Sequence, residues 1–443
     1  MSQFPFNGPW TKLATTSEQL QVLVTSRLAA DVQAISTQWL HELNLPALIS
    51  EHLTPLEALD VGVDLVALGK ASREMAAAVH SILGSQVRRR LLVCDVESAS
   101  LSPQDPDVRV GEHPIPGDGS LAAARELVEF LDAPSEADVT LFLLSGGASS
   151  LCSLPEPPLD LGDMREIWHA ALATGIDITA LNKLRAATSQ IAGGSILRHV
   201  HTAGSRSLIM VDNVLSGAEW VASGLTYEYT PPRSEVESLV ERIGLTNTGL
   251  GNKILAAFDS RSSAMALPVH DVHANAVVAD PEVLLDEAVR EAGRRGYRVV
   301  DMGSHISGDV HDVCDEWAHV LARVSRLDGR YCVVGVGEVT VQVRGNGLGG
   351  RCQEFAWSMA GVLEHLGRDA AFAARSSDGR DFLRGVAGAW VDATTKRRAQ
   401  ALGMDWLHLK RENDSYRGLL AVDQLLAGGH TGWNLCDLYV AVL

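Results

Sequence analysis

Between residues 64 and 224 the chain alternates short apolar runs with amphipathic stretches, and small residues break one from the next. The runs Asp64-Leu65-Val66-Ala67-Leu68, Leu91-Leu92-Val93-Cys94, Val139-Thr140-Leu141-Phe142-Leu143-Leu144 and Ser207-Leu208-Ile209-Met210-Val211 are too short for helices. Their near-continuous apolar character predicts strands buried on both faces of a parallel sheet. Residues 17–50 instead put Leu20, Val24, Leu28, Val32 and Ile35 on one face at helical spacing, and further helices are expected at 161–174 and 177–191. Strands and helices taken in turn predict an α/β fold built on a doubly wound parallel sheet.

The pattern fades over 228–270, where Pro231-Pro232 and Thr246-Asn247-Thr248-Gly249 mark a boundary. A second α/β unit is expected beyond it. Its strands are read at 276–278, 297–300, 331–335 and 371–374, with helices at 282–295, 310–326 and 353–366. The stretch Glu338-Val339-Thr340-Val341-Gln342-Val343 alternates as a separate half-buried strand should. A last strand is read at 438–443.

At 443 residues the chain is too long for one ordinary core, so two domains are expected, 1–245 and 246–443. A net charge of −18 leaves no basic excess to neutralise phosphates, which argues against nucleic acid or an anionic membrane as partner. Six scattered cysteines without a C-x-x-C pair read as buried thiols in a reducing compartment. Residues 1–10 lack the basic start and apolar core of a signal peptide, and no apolar run approaches 18 residues. A cytoplasmic protein is expected.

The strand at 139–144 runs into Ser145-Gly146-Gly147-Ala148-Ser149-Ser150 at its carboxyl end, where open α/β sheets bind ligands. Gly146 and Gly147 let the backbone approach an anion closely, with Ser145 and Ser149 beside them; a tight strand-to-helix turn needs the same residues. Lys70 follows a strand and opens a helix, against the dipole, a position useful beside a bound phosphate. Asn182, Arg185 and Ser189 share one helix face. A second glycine loop, Gly345-Asn346-Gly347-Leu348-Gly349-Gly350, is followed at once by Arg351. It satisfies G-x-G-x-x-G after a strand and before a helix, with Asp369 about twenty residues on, so an NAD(P)-dependent oxidoreductase is a serious rival reading. Arg351 stands where the pyrophosphate would meet that helix, and an arginine there better suits a transferring phosphoryl group. No P-loop, nucleophile elbow or Cys/His zinc cluster occurs.

The stretches Leu68-Gly69-Lys70-Ala71, Gly111-Glu112-His113-Pro114-Ile115-Pro116, Leu144-Ser145-Gly146-Gly147, Gly337-Glu338-Val339-Thr340-Val341, Gly349-Gly350-Arg351-Cys352-Gln353-Glu354, Ser377-Asp378-Gly379 and Thr431-Gly432-Trp433-Asn434 keep an order and spacing that resembles glycerate 2-kinases whose second half is the MOFRL domain. The resemblance covers about residue 20 to 443. It implies an N-terminal Rossmann-like domain, a C-terminal MOFRL-type α/β domain and a ligand cleft between them. It also implies ATP and Mg²⁺ as cofactors and phosphorylation of the 2-hydroxyl of D-glycerate or a close hydroxy acid. Lys70 and Arg351 match the family's catalytic candidates. Ser145, Gly146, Gly147, Ser149, Asn182, Arg185, Asp212, Asn213, Glu338, Gly349, Gly350 and Asp378 are the nucleotide- or substrate-binding candidates. Asp212, Glu338 and Asp378 could hold the metal directly or through water. This chain has Ala148 where the family has a third glycine, and Ala187 where it has a histidine. A catalytically inactive ligand-binding homologue stays open, as does a homodimer.

Overall fold

The computed structural model describes residues 27–101, 103–213, 217–264 and 273–443; the expected helical positions Leu20 and Val24 lie outside them. Six strands form the first sheet: β1 (Val63–Leu68), β2 (Val87–Cys94), β3 (Val108–Val110), β4 (Val139–Leu144), β5 (Gly204–Met210) and β6 (His273–Ala279). Their order is β3-β2-β1-β4-β5-β6 and every pairing is parallel. The chain reverses its direction of travel across the sheet between β1 and β4, so the crevice opens at the carboxyl ends of those two strands. The pleat sends Leu65 and Ala67 into one core and Val66 and Leu68 into another, which is why the run reads as continuously apolar.

The second sheet is mixed. It contains β7 (Arg298–Asp301), β8 (Ile306–Asp309), β9 (Tyr331–Thr340), β10 (Ala371–Ser376), β11 (Val386–Asp392), β12 (Leu425–Ala427) and β13 (Asp437–Val442). The order is β12-β11-β10-β13-β9-β7, with β8 also beside β9. Strands β7 and β8 run parallel to β9, and the other pairings are antiparallel. Residues 331–340 form one strand, where two were expected; Val336 and Gly337 carry the ladder straight through against β13.

The expected division at 245/246 falls between the helices Arg233–Arg242 and Gly249–Ala264. The strand read at 276–278 as opening the second unit is part of β6, which pairs with β5 and extends the first sheet to Ala279. The helix Arg27–Glu42, in turn, packs on the second half. Its buried Asp31 accepts from Arg295, Tyr297 and Arg330 at 3.0, 2.7 and 2.9 Å. The faded region carries helices Arg233–Arg242 and Gly249–Ala264, which pack with Leu161–Thr174 and Ile178–Thr188 around Leu184, Val236 and Ile254. One core runs between the sheets, joining Leu65, Leu141 and Leu208 to Val334, Leu438 and Val440. All six cysteines are buried and unpaired. Among the described residues no helix is long and apolar enough to cross a membrane.

Candidate active site

The loops after β1, β4 and β5 meet the loops after β9 and β10 around a cleft of about 320 Å³. Two glycines make the approach close enough. A Cβ on Gly146 would lie 1.5 Å from a carboxylate oxygen of Asp212 and 2.2 Å from the amide nitrogen of Asn434. Gly147 sits at φ +82°, with His113 and Lys70 directly over it.

Lys70 donates to Asp378 at 2.9 Å, joining the first half to the second. Burial works against the ammonium, but the Asp378 carboxylate outweighs it and holds the lysine above its ordinary pKa. Asp378 is lowered in return, despite its burial, and keeps Ser376 Oγ and the Arg380 N–H as further donors. His113 is pushed down to about 4 by burial and by Lys70, so its imidazole is neutral at neutral pH. Arg351 opens the helix Arg351–Glu364, with Nε and Nη2 on the fully buried carboxylate of Asp437 and Nη1 on Glu338. Those two acids offset the unfavourable placement of a cation at a helix N-terminus. Lys70 and Arg351 line the same cleft and feel each other electrostatically. With one of its three donors used on Lys70 and three of five on Arg351, each retains two N–H groups for a ligand.

The opposite wall carries a network without a carboxylate among the described residues. Arg185 Nη1 donates to Asn182 Oδ1 at 2.9 Å, Ser223 donates to the same oxygen at 3.0 Å, and Ser149 meets Ser223 at 2.7 Å. The Arg185 guanidinium stacks over Trp168 with its carbon 3.8 Å from the ring centroid, and its Nε is buried without a partner. Among the described residues no carboxylate pairs with it, and burial pulls its pKa down. An uncompensated guanidinium facing a cleft is a site for an anionic ligand.

Asp212 accepts from Asn434 at 2.9 Å and has no salt bridge among the described residues; burial raises its pKa while Lys70 opposes the rise. Asp378 and Glu338 are each committed to a cation. The expected metal candidates Asp212, Glu338 and Asp378 all line the cleft, two of them paired with the chain's own cations. Among the described residues no three His, Cys, Asp or Glu side chains converge to hold a metal ion.

Gly146, Gly147, Ser149, Asn182, Arg185, Asp212, Asn213, Glu338 and Asp378 line the cleft with Lys70 and Arg351. Three expected residues do not. Ser145 is buried, accepting from the Ala71 N–H at 3.1 Å and fastening the β1 turn to the β4 turn. Gly349 packs against Ser415 and Gly350 against Asp381. The whole second glycine loop is closed by the chain itself. Gly347 donates to the Glu412 carbonyl at 2.8 Å, Leu348 to Asp414 at 3.1 Å, and a Cβ on Gly345 would strike the Glu412 backbone. The helix start a pyrophosphate would need already holds an anion, because Asp381 accepts from the N–H groups of Cys352 and Gln353 at 3.1 and 2.8 Å. Burial beside Asp437 pushes Asp381 up to about 6 against those donors. Residues 345–350, the loop of the dinucleotide reading, are thus packed against the chain's own 412–414 segment and Asp381.

Asp437, Asn434 and Trp220 were not among the expected site residues. Asp437 had a signal, since it is the one charge opening an otherwise apolar closing strand.

Comparison with known proteins places this geometry. A family model described as a domain of unknown function (DUF4147) matches residues 28–258, and the MOFRL family matches 331–437. A D-glycerate 2-kinase from Thermotoga maritima is 28% identical over 86% of this chain and 90% of its own length. A protein from Agrobacterium vitis with the provisional name hydroxypyruvate reductase is also 28% identical, over 84% of this chain and 97% of its own. The crystal structure of a glycerate kinase from Thermotoga maritima superposes with a TM-score of 0.80 at 26% identity, covering 94% of this chain and 99% of that one. The chain belongs to the DUF4147 family with a C-terminal MOFRL domain, the two-part family of the glycerate 2-kinases.

Proposed function

We propose that this chain is an ATP-dependent kinase that phosphorylates the 2-hydroxyl of D-glycerate. The observation that carries the reading is the convergence of Lys70 and Arg351, one from each half, on a cleft whose far wall offers Arg185, which has no carboxylate partner among the described residues. A small hydroxy acid has one permanent charge, its carboxylate, which suits Arg185. The γ-phosphoryl group spreads its charge over three oxygens, which suits two fixed cations with two free donors each. In transfer, the 2-hydroxyl oxygen bonds to the γ-phosphorus as the bond to the bridging oxygen of ADP breaks. The hydroxyl proton goes to Asp212, the cleft carboxylate without a salt bridge, whose raised pKa strengthens it as a base.

Lys70, Arg185 and Arg351 stand against Asp212, Glu338, Asp378 and Asp437. With no cationic charge to spare in the cleft and no group of three metal-ligating side chains among the described residues, the nucleotide is expected to bring its own cation, as Mg²⁺ does when it binds mainly through phosphates. The cytoplasm is the compartment such a reaction implies. The packing of residues 345–350 against the chain's own backbone favours the kinase over a reductase reading. A thermal-shift panel separates the two: ATP–Mg²⁺ and D-glycerate should each raise the melting temperature, and NADH or NADPH should not. Stabilisation by a nicotinamide cofactor alone would reverse the assignment.

A further inference from the structure

A second groove, of about 680 Å³, adjoins the cleft and shares Lys70, His113, Pro114 and Asp378 with it. It lies on the β2–β3 side of the crevice, whereas the cleft lies toward β5. The Lys70–Asp378 bridge stands between the two compartments. One groove wall is the segment after β2 and the end of β3, with Val96 and Val110 exposed at 59% and 42%. The other wall is the loop after β10, where Phe382 adopts φ +63° with 70% of its surface exposed. An aromatic residue gains nothing from a left-handed backbone or from water, so a conformation of this kind points to a ligand contact. Arg384 lies two residues on, lines the same groove and makes no hydrogen bond or ion pair among the described residues.

We infer that this groove takes the nucleoside and inner phosphates of the phosphoryl donor, with the base between Phe382 and the Val96–Val110 wall and Arg384 on a phosphate. The inference rests on the kinase reading and completes it. The donor occupies the wider, partly apolar compartment, the acceptor acid occupies the cleft at Arg185, and the γ-phosphoryl group crosses at Lys70. The groove's rims are tied across the halves by Arg380–Glu97 at 3.5 Å and His430–Glu74 at 2.7 Å, so both walls are positioned before ligand arrives.

The test compares full-length wild type with Phe382→Gly and Arg384→Ala. Glycine suits φ +63°, so Phe382→Gly removes the ring while easing the backbone, and Phe382→Asn serves as a second variant tolerant of that conformation. Calorimetry with ADP, and with tripolyphosphate as a probe lacking a base, should show Phe382→Gly weakening ADP about tenfold, the order for one lost base stack. Tripolyphosphate should be unaffected by Phe382→Gly and weakened by Arg384→Ala. In turnover, KM for ATP should rise in both variants while KM for D-glycerate stays within twofold. Wild-type turnover with both variants indistinguishable from it would overturn the groove assignment alone. ADP binding that Phe382→Gly weakens, without turnover, would overturn the kinase reading alone. A wild type that binds no ADP would overturn both.

Discussion

Lys70 and Asp378 lie 308 positions apart and meet at 2.9 Å, one at the end of the central strand of the first sheet and the other just beyond β10 of the second. The bond closes the cleft's two sides on each other and leaves Lys70 two donors pointing toward a ligand. The cation proposed to act in transfer is thereby held in place by the opposite half of the molecule. Preorganisation of this kind stabilises charge in a transition state without reorganisation during the reaction.

Lys70→Ala should lower kcat by roughly 10²-fold or more with little change in KM, the pattern expected when a cation used in the transition state is lost. Its melting temperature should stay near wild type, because Asp378 retains Ser376 Oγ at 3.0 Å and the Arg380 N–H at 2.9 Å. Steady-state kinetics and a melting curve on the same sample check both halves of the statement.

Arg351→Ala should lose a comparable factor in kcat and should also destabilise the fold. The Asp437 carboxylate is fully buried, and removing Arg351 strands it, at a cost of about 3 kcal/mol by the lower end for broken buried pairs. Denaturant unfolding should show this loss for Arg351→Ala and not for Lys70→Ala. Equal stability of the two variants would contradict the assigned role of Asp437.

Arg185→Ala should raise KM for the hydroxy acid by roughly tenfold or more, as expected when a charged hydrogen-bond partner of a carboxylate disappears. Stability should hold or rise, since the variant relieves a guanidinium with a buried, unpartnered Nε. Inhibition by an acid analogue should weaken in parallel, while an uncharged analogue such as glyceramide should not discriminate the variant from wild type.

Asp212 gives a pH dependence with a definite sign. Its folded pKa is raised, so the carboxylate protonates and stops accepting the hydroxyl proton as pH falls through that value. Activity should therefore fall on the acid side, and Asp212→Asn should be slow and lack this limb. A raised carboxyl pKa also means stability is lost as pH rises through it. The melting-temperature gain of Asp212→Asn over wild type should accordingly be larger at pH 8 than at pH 4.

Most of the first half is legible in the sequence because its strands are buried on both faces and stop at small residues. The runs 64–68, 91–94, 139–144 and 207–211 each fall in a strand, and Lys70 and 145–150 fall at their carboxyl ends. The loop at 345–350 misleads for a physical reason. G-x-G-x-x-G records only that backbone approaches something closely, and here the something is the chain's own 412–414 segment and Asp381. Helices 233–242 and 249–264 lack a clear apolar period, and the strand read at 276–278 gives no local sign that its partner is the distant β5. Asp31, which draws an N-terminal helix onto Arg295 and Arg330, has no local signature at all; only tertiary pairing reveals it.

The central claim is transfer of a phosphoryl group to the 2-hydroxyl of glycerate across the Lys70–Arg351 cleft. Phosphorus NMR of purified protein with ATP, Mg²⁺ and D-glycerate tests it directly. 2-Phosphoglycerate should appear with one equivalent of ADP, and Lys70→Ala should give no such signal on the same timescale. A 3-phosphoglycerate signal, or ATP left intact across a panel of C3 to C5 hydroxy acids, would contradict it.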